Sequence, residues 1–487
     1  MNTSLNPLSE MFLKTCRMHP QKTAIILPDG EISYQQLRDD VINLALNLRD
    51  RGFKSGHVIG MEQLDNTVEE ITSILALTLL GCTWIKRISH WGSNITLNYI
   101  IANKKFYDPT LQNVIYLSDS LFKRPIQCKH INHIKGFGFN GYENATQPWY
   151  LAQSSGTTGK PKLMPITSQM LFARIQRYKE YNIPDVKIML LFHVFAPVAL
   201  LHVMLSIYKA GTFIADPKYL HSDYIMGSPS HFNDFLNEIH PPKEPFMKEA
   251  RVVGSVVNAK ILENLLRYFK TVRIGYGSTE TGSTAMKLFD KVSDEISVGH
   301  SYDNVTIEIV DENHMPLQNG LEGAVRIKSN AQVKAYLFAD KEQNACFLDD
   351  WFYPGDKGYF SSSLELYITG RVKDDLNING IKIDALEIDD FLSNFDSILK
   401  GICFFEMDEK EEMKILSCLL VLDSSCDKTK TLKSLITNYK QNFPRIHHLL
   451  KYAYITEELP TNENGKIMRH KAGEITESLE KIDLQTF

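Results

Sequence analysis

Gln153-Ser154-Ser155-Gly156-Thr157-Thr158-Gly159-Lys160-Pro161-Lys162 is the stretch on which the fold turns. It gathers hydroxyls, glycines and two lysines around one proline, directly after the apolar run Trp149-Tyr150-Leu151-Ala152, which reads as a strand. Glycines let a backbone bend until several N–H groups converge, and such a nest binds anions. The hydroxyls of Ser154, Ser155, Thr157 and Thr158 add donors, and Lys160 and Lys162 add charge. The composition is that of a polyphosphate cradle, although a merely flexible polar loop would share it.

The P-loop is excluded by spacing. That motif places four residues between its first glycine and the Gly-Lys-[Ser/Thr] that follows. Here only Thr157 and Thr158 separate Gly156 from Gly159, and Pro161 disfavours helical geometry at Lys160.

Working outward, 487 residues are too many for one core, and two to four units are expected at about 100–200 residues each. A hydrophobic fraction of 43% with 23% charged residues is that of a soluble globular protein. The net charge of −5 argues against a chain that coats nucleic acid. Seven cysteines without a CxxC pair or zinc-type spacing fit reduced thiols in a cytoplasm. The start has no basic-then-apolar signal pattern, and Ile71 to Ile85 is short for a membrane span. A cytoplasmic protein is therefore expected.

Before the cradle, a helix from about Leu8 to Met18 precedes a hairpin turning at Pro28-Asp29-Gly30. Ser33 and Gln36 form a capping box ahead of the stripe Leu37, Val41, Leu44, Ala45, Leu48. A strand at 57–61 and a buried helix from Thr67 to Leu80 continue an alternation that favours a mostly parallel α/β sheet. Residues 86–148 give no clear pattern. The GxGxxG match Gly136 to Gly141 lacks a following helix, so a dinucleotide-binding reading is set aside for a loop leading into the cradle.

Beyond the cradle come a helix from Met170 to Lys179, a strand from Lys187 to Phe192, a helix from Leu200 to Tyr208 and a strand at 211–215. The strand Val272-Arg273-Ile274 runs into Gly275-Tyr276-Gly277-Ser278-Thr279-Glu280. Short strands then dominate: 305–310, 324–328 and 359–360. Past Gly370 a small α+β unit follows, with strands at 401–407 and 413–422 and a helix near 428–440. The boundary belongs at Thr369–Asp374.

Four further segments carry chemistry-bearing side chains: Tyr276-Gly277-Ser278-Thr279-Glu280, Tyr353-Pro354-Gly355-Asp356, Gly370-Arg371-Val372-Lys373-Asp374 and Thr461-Asn462-Glu463-Asn464-Gly465-Lys466. Each alone is a common turn. All of them in this order behind the cradle resemble the ANL superfamily of adenylate-forming enzymes: acyl- and aryl-CoA synthetases, non-ribosomal peptide synthetase adenylation domains and luciferases. The resemblance runs from the first helix to the end. It implies an α/β protein, with a large N-terminal region of parallel sheets and a small β-rich subdomain (residues 1–370). A small mobile α+β C-terminal domain (371–487) would complete it. It also implies an acid–thiol ligase that activates a carboxylate with ATP, releases pyrophosphate and passes the acyl group to CoA or to a carrier-protein phosphopantetheine. A non-catalytic nucleotide-binding or scaffold protein and a luciferase-like oxygenase are the remaining alternatives.

On this resemblance Ser154, Ser155, Gly156, Thr157, Thr158, Gly159 and Lys160 hold the β- and γ-phosphates. Glu280 binds Mg²⁺, an oxygen-seeking ion that keeps waters and one or two carboxylates, and Thr279 reaches the phosphate beside it. Tyr276 offers a flat face to adenine beside Gly277, with Ser255, Val256 and Val257 opposite. Asp356 accepts from the ribose hydroxyls and Arg371 adds contacts to ribose or phosphate. Lys466 is the expected catalytic lysine, placing an ammonium where a carboxylate anion attacks the α-phosphorus. Lys373 marks a hinge, and the loop of Asn377 and Gly380 passes the thiol arm. His193, Gly254, Gly275 and Tyr276 line the acyl site.

Amino-acid-activating relatives carry an Asp at the start of the His193 segment, and its absence favours a plain aryl or fatty acid. Leu163 replaces the usual Gly after Pro-Lys, Ser255-Val256-Val257 replace smaller wall residues, and Ala385 replaces a Pro. Asn377 stands where many aryl-CoA ligases have Lys.

Overall fold

Helix Thr67–Leu80 shows how the chain builds its layers. Asn66 caps it, its side chain accepting from Glu69 N–H, and Gly81 ends it in the left-handed region at φ 72°. A Cβ at Gly81 would stand 2.0 Å from the Gly141 carbonyl oxygen, so only glycine fits. The helix is apolar on nearly every side, with Ile71, Ile74, Leu75, Leu77, Leu79 and Leu80 all buried. Such a helix belongs inside a protein, between two layers.

The computed structural model describes residues 6–486 apart from 63, 65, 87–94, 104–111, 123–137, 140, 155–161, 181–184, 294, 342, 373–374, 379–380, 409–412, 445 and 462–466.

Two sheets sandwich the central helices. The first has nine strands in the order His300–Ser301, Gly282–Phe289, Phe269–Ser278, Met247–Val252, Tyr224–Gly227, Lys187–Leu190, Thr212–Ile214, Thr23–Leu27, Gly30–Ser33. Its six inner strands are parallel, and antiparallel partners close both edges. The second has six strands in the order Val114–Tyr116, Tyr99–Ala102, Val58–Met61, Thr83–Lys86, Pro148–Ser154, Lys162–Thr167. All its neighbours are parallel except the last pair. Helices Pro7–Met18, Tyr34–Asp50, Thr67–Leu80, Ser168–Gln176 and Pro197–Tyr208 share one core with strands of both sheets. The capping box of Ser33 and Gln36 is present, and the stripe from Leu37 to Leu48 is fully buried.

A β-rich six-stranded sheet spans 305–371 and packs Val305, Ile307, Ile309, Val325, Ile327 and Leu366 into the second core. Residues 385–484 form two cores of their own around the sheet Ile398–Asp408, Met413–Leu422, Leu450–Ile455 and Ile482–Asp483.

This is the expected α/β class, with three differences in detail. Within 86–148 the structure adds strands Tyr99–Ala102 and Val114–Tyr116. The strand entering Tyr276 extends to Ser278, because Gly282–Phe289 pairs back along it. Asn377, expected in a loop, lies in strand Asp375–Ile378 opposite Lys382 of Ile381–Asp384. Three positions of the GxGxxG match (136, 137 and 140) lie outside the described residues.

Candidate active site

In parallel sheets ligands bind outside the carboxyl ends of the strands. Those ends carry most of the described residues singled out in the sequence. Strand Lys187–Leu190 leads to His193, Met247–Val252 to Gly254, and Phe269–Ser278 to Thr279 and Glu280. The two sheets are tied together there by Tyr150, whose hydroxyl donates to the Phe195 carbonyl at 3.2 Å.

Asp356 and Arg371 are opposite each other in antiparallel register. Tyr276, 80 positions away, joins them: its hydroxyl donates to Asp356 Oδ2 at 2.6 Å, while Arg371 Nε donates to Oδ1 at 2.9 Å. Arg371 Nη2 also donates to the Pro354 carbonyl at 3.1 Å. Burial and the adjacent Asp356 carboxylate hold the Tyr276 phenol well above its ordinary pKa, so it stays a donor. Each carboxylate oxygen accepts two hydrogen bonds, so Asp356 keeps capacity for two more donors after Tyr276 and Arg371. Gly277 is bare for a structural reason: a Cβ would meet the Gly282 carbonyl oxygen at 2.3 Å, where the hairpin strands cross.

Thr279 and Glu280 sit at the tip of that hairpin, and two buried arginines fix its backbone. Arg174 Nη1 donates to the Thr279 carbonyl at 3.0 Å, Nη2 to the Glu280 carbonyl at 2.8 Å and Nε to the Ala331 carbonyl at 2.9 Å. Arg177 Nη1 donates to the carbonyls of Thr281 and Ser283 at 2.8 and 2.7 Å, and Nη2 to Ser329 Oγ. Burial and mutual repulsion push Arg174 down to about 9, while burial pushes Arg177 down to about 10; both remain cations at neutral pH. The Glu280 carboxylate is itself buried, and Tyr336 donates to its Oε1 at 2.7 Å. Lys162, the last residue of the cradle stretch, holds its ammonium 4.6 Å from the centre of the Tyr336 ring. Leu337 N–H donates to the Leu163 carbonyl at 2.8 Å, tying this segment to the strand that leaves the cradle.

Ser154 and Lys162 face each other across antiparallel strands, so the cradle stretch connects strand to strand rather than strand to helix. That is a second departure from the P-loop. Residues Ser155, Gly156, Thr157, Thr158, Gly159, Lys160, Lys373, Gly380 and Lys466 lie outside the described residues. The ends of the Lys466 segment are placed: Thr461 pairs with Ile467, and Met468 N–H donates to the Pro460 carbonyl at 2.8 Å. Arg469 then forks onto Asp389, with Nη1 3.1 Å from Oδ1 and Nη2 paired to Oδ2.

Around the expected acyl site, Gly254 has φ 91°, a conformation that favours glycine, and Val256 is 48% exposed. Val257 instead turns into the second core. A Cβ on Gly275 would press on Val253 and Met286 at 2.9 and 3.0 Å. His193 Nε2 lies 3.4 Å from Oε1 of the buried Glu70.

Sequence reasoning passed over Arg174, Arg177, Tyr336, Glu70 and Arg469. Arg174 carried a signal: it stands between Leu171, Ile175 and Tyr178 on the buried stripe of its helix, where a charge needs partners.

A single carboxylate at a hairpin tip suits magnesium, which keeps waters and takes one or two carboxylates plus phosphate oxygens. Glu280 fits that role: Tyr336 fixes Oε1, and Oε2 is the oxygen left for an ion.

Residues 111–337 match the model of the AMP-binding enzyme family. The chain is 21% identical over 500 residues to gramicidin S synthase 2 of Aneurinibacillus migulanus, covering 96% of this chain but 11% of that protein. It is 26% identical over 341 residues to oxalate–CoA ligase of Arabidopsis thaliana, covering 65% of each. The chain thus spans only a small part of the length of several curated relatives it matches. Among solved structures, o-succinylbenzoate CoA synthetase of Bacillus subtilis with ATP and magnesium superposes with a TM-score of 0.78 at 18% identity, covering 95% of this chain and 99% of that one. That likeness is one of fold. Residues 111–337 are thus similar to AMP-binding enzymes, and the likeness of fold to an adenylate-forming synthetase runs over almost the whole chain.

Proposed function

We propose that the protein is an ATP- and Mg²⁺-dependent acid–thiol ligase: it converts a carboxylic acid to an acyl-adenylate with release of pyrophosphate and transfers the acyl group to CoA. The observation that carries this reading is the convergence of Tyr276, Asp356 and Arg371, held at 2.6 and 2.9 Å, on the same strand-end face as Thr279 and Glu280. An aromatic ring, a carboxylate with spare acceptor capacity and a guanidinium suit a base and its ribose. The hairpin tip suits the phosphates.

In this scheme Asp356 accepts from the ribose hydroxyls and Tyr276 lends its ring face to adenine. The cradle from Ser154 to Lys160 holds the outer phosphates through N–H groups, hydroxyls and the lysine. Magnesium, when bound at Glu280, supplies neutralising charge to phosphate oxygens. Lys466 contributes charge and position as two anions approach, with no proton transfer required of it. Residues 371–487 act as a domain turning about Lys373, which withdraws Lys466 and brings the Asn377–Gly380 segment to the same site for the thiol. The separate cores of 385–484 support treating them as one body.

Carboxylate-dependent exchange of pyrophosphate into ATP is the test. Exchange with at least one acid of a broad panel is expected, and none with any acid would favour a non-catalytic nucleotide-binding protein. A second reading, loading onto a carrier-protein phosphopantetheine, is favoured by the similarity of almost the whole chain to short stretches of far longer synthetases such as gramicidin S synthase 2 and tyrocidine synthase 3. Supplying CoA or a holo carrier protein to the preformed adenylate separates the two.

A further inference from the structure

Glu70 lies near the start of helix Thr67–Leu80 in the six-stranded layer, and His193 follows strand Lys187–Leu190 of the nine-stranded one. They meet between the carboxyl ends of the two sheets, with His193 Nε2 3.4 Å from Glu70 Oε1. The Glu70 side chain is 3% exposed, whereas that of His193 is 41% exposed. Leu64 N–H reaches Glu70 Oε1 at 3.3 Å, and Phe195 N–H donates to His193 Nδ1 at 3.3 Å. Since Nδ1 accepts, the ring proton belongs on Nε2, directed at Glu70.

Among the described residues, His193 Nε2 is the side-chain nitrogen within ion-pair distance of Glu70. Lys86 attracts the carboxylate from farther away and Glu69 repels it. Burying a carboxylate under such weak compensation costs stability that an apolar side chain among Ile71, Ile74 and Leu75 would not. What the carboxylate adds is a negative potential behind the part-exposed ring of His193, in a medium that screens poorly.

We propose that Glu70 is a specificity-determining residue of the acyl site: its charge behind His193 selects acids whose far end is neutral or cationic and rejects acids with a second carboxylate. This rests on His193 lining the acyl site of an adenylating enzyme. It refines that reading by naming the substrate class, an acid with an uncharged or amine-bearing tail. Burial pushes the Glu70 carboxyl up to about 7, so pH 8 is the condition at which its charge is developed.

The test uses three non-hydrolysable acyl-adenylate mimics, the hexanoyl, 6-aminohexanoyl and 5-carboxypentanoyl derivatives of 5′-O-sulfamoyladenosine, titrated calorimetrically at pH 8 into wild type and Glu70→Gln. Wild type is expected to bind the first two at least about tenfold more tightly than the carboxylate-tailed one, and Glu70→Gln to close most of that gap. Glutamine keeps the shape and loses the charge, and Glu70→Met, which removes the polar group altogether, should close the gap in the same way. A gap that persists in both variants, or equal binding of all three mimics by wild type, overturns the proposal. If no mimic binds wild type at all, the acyl-adenylate reading itself falls, and the specificity proposal with it.

Discussion

Arg174 Nη2 lies 2.8 Å from the backbone carbonyl oxygen of Glu280, and the other nitrogens of the same guanidinium take the carbonyls of Thr279 and Ala331. One buried cation thus fixes the hairpin tip from behind while the Glu280 side chain faces Tyr336. Arg174→Met would strand three carbonyls, at about 1–3 kcal/mol for each one left buried without a donor. A clear fall in melting temperature is expected. The functional signature is separate: the Mg²⁺ needed for half-maximal pyrophosphate exchange should rise about tenfold, with AMP affinity in the absence of Mg²⁺ changed less than about twofold. Losses of equal size in both would make Arg174 a fold residue alone.

Tyr276 and Asp356 allow the ring and the hydroxyl to be told apart. Tyr276→Phe keeps the aromatic face and deletes the 2.6 Å donor to Asp356 Oδ2. A hydrogen bond to a charged group contributes about 1.5–3 kcal/mol, so the KM for ATP should rise roughly tenfold. Asp356→Asn removes the counterion of Arg371 and turns one of the two acceptor oxygens into a donor, and should cost about a hundredfold. An ATP KM unchanged in Tyr276→Phe would mean that Asp356 is held in place by Arg371 alone.

Three positions after Lys466 in the sequence, Arg469 forks onto Asp389. Lys466→Ala should lower the exchange rate by about a hundredfold or more, the scale of losing one preorganised charge at a transition state. Thioester formation from supplied acyl-adenylate should be nearly unchanged. Lys373→Pro should show the reverse pattern, sparing exchange and slowing thioester formation. Equal losses in both half-reactions of Lys466→Ala would contradict the two-position scheme.

How far the sequence carried the reading follows from which interactions are local. Ser33 with Gln36 is a contact over three residues, and the structure has it where the sequence puts it. The strand ends bearing Tyr276, Thr279 and Glu280 could be placed because glycine and hydroxyl residues interrupt an apolar run at Gly275. The meeting of Tyr276 with Asp356 was accessible through motif order and not through spacing, since 80 residues intervene. Glu70 was not legible, and Arg174 only as a charge on an apolar stripe without its partners. A charge on an apolar stripe reads equally as the helix's solvent edge, and only partners 105 to 157 positions away decide otherwise.

Glu70 also makes a prediction independent of any substrate. Its carboxyl is pushed up to about 7 from an ordinary 4.5, chiefly by burial, with the Leu64 N–H and Lys86 pulling the other way and Glu69 adding a little. The group is therefore protonated in the folded chain at pH values where the unfolded chain has already released its proton. Stability on its account is complete below the unfolded pKa near 4.5 and declines as pH rises through about 7. A difference of that size corresponds to roughly 3 kcal/mol between the two ends of the window. Glu70→Gln does not titrate, so it should gain on wild type as pH rises. Its melting temperature relative to wild type should increase by several degrees between pH 5 and pH 8, and the other carboxyls, common to both proteins, cancel in the comparison. A constant difference across that range would show that Glu70 titrates alike in the folded and unfolded chains, and that its contact with His193 carries no buried charge.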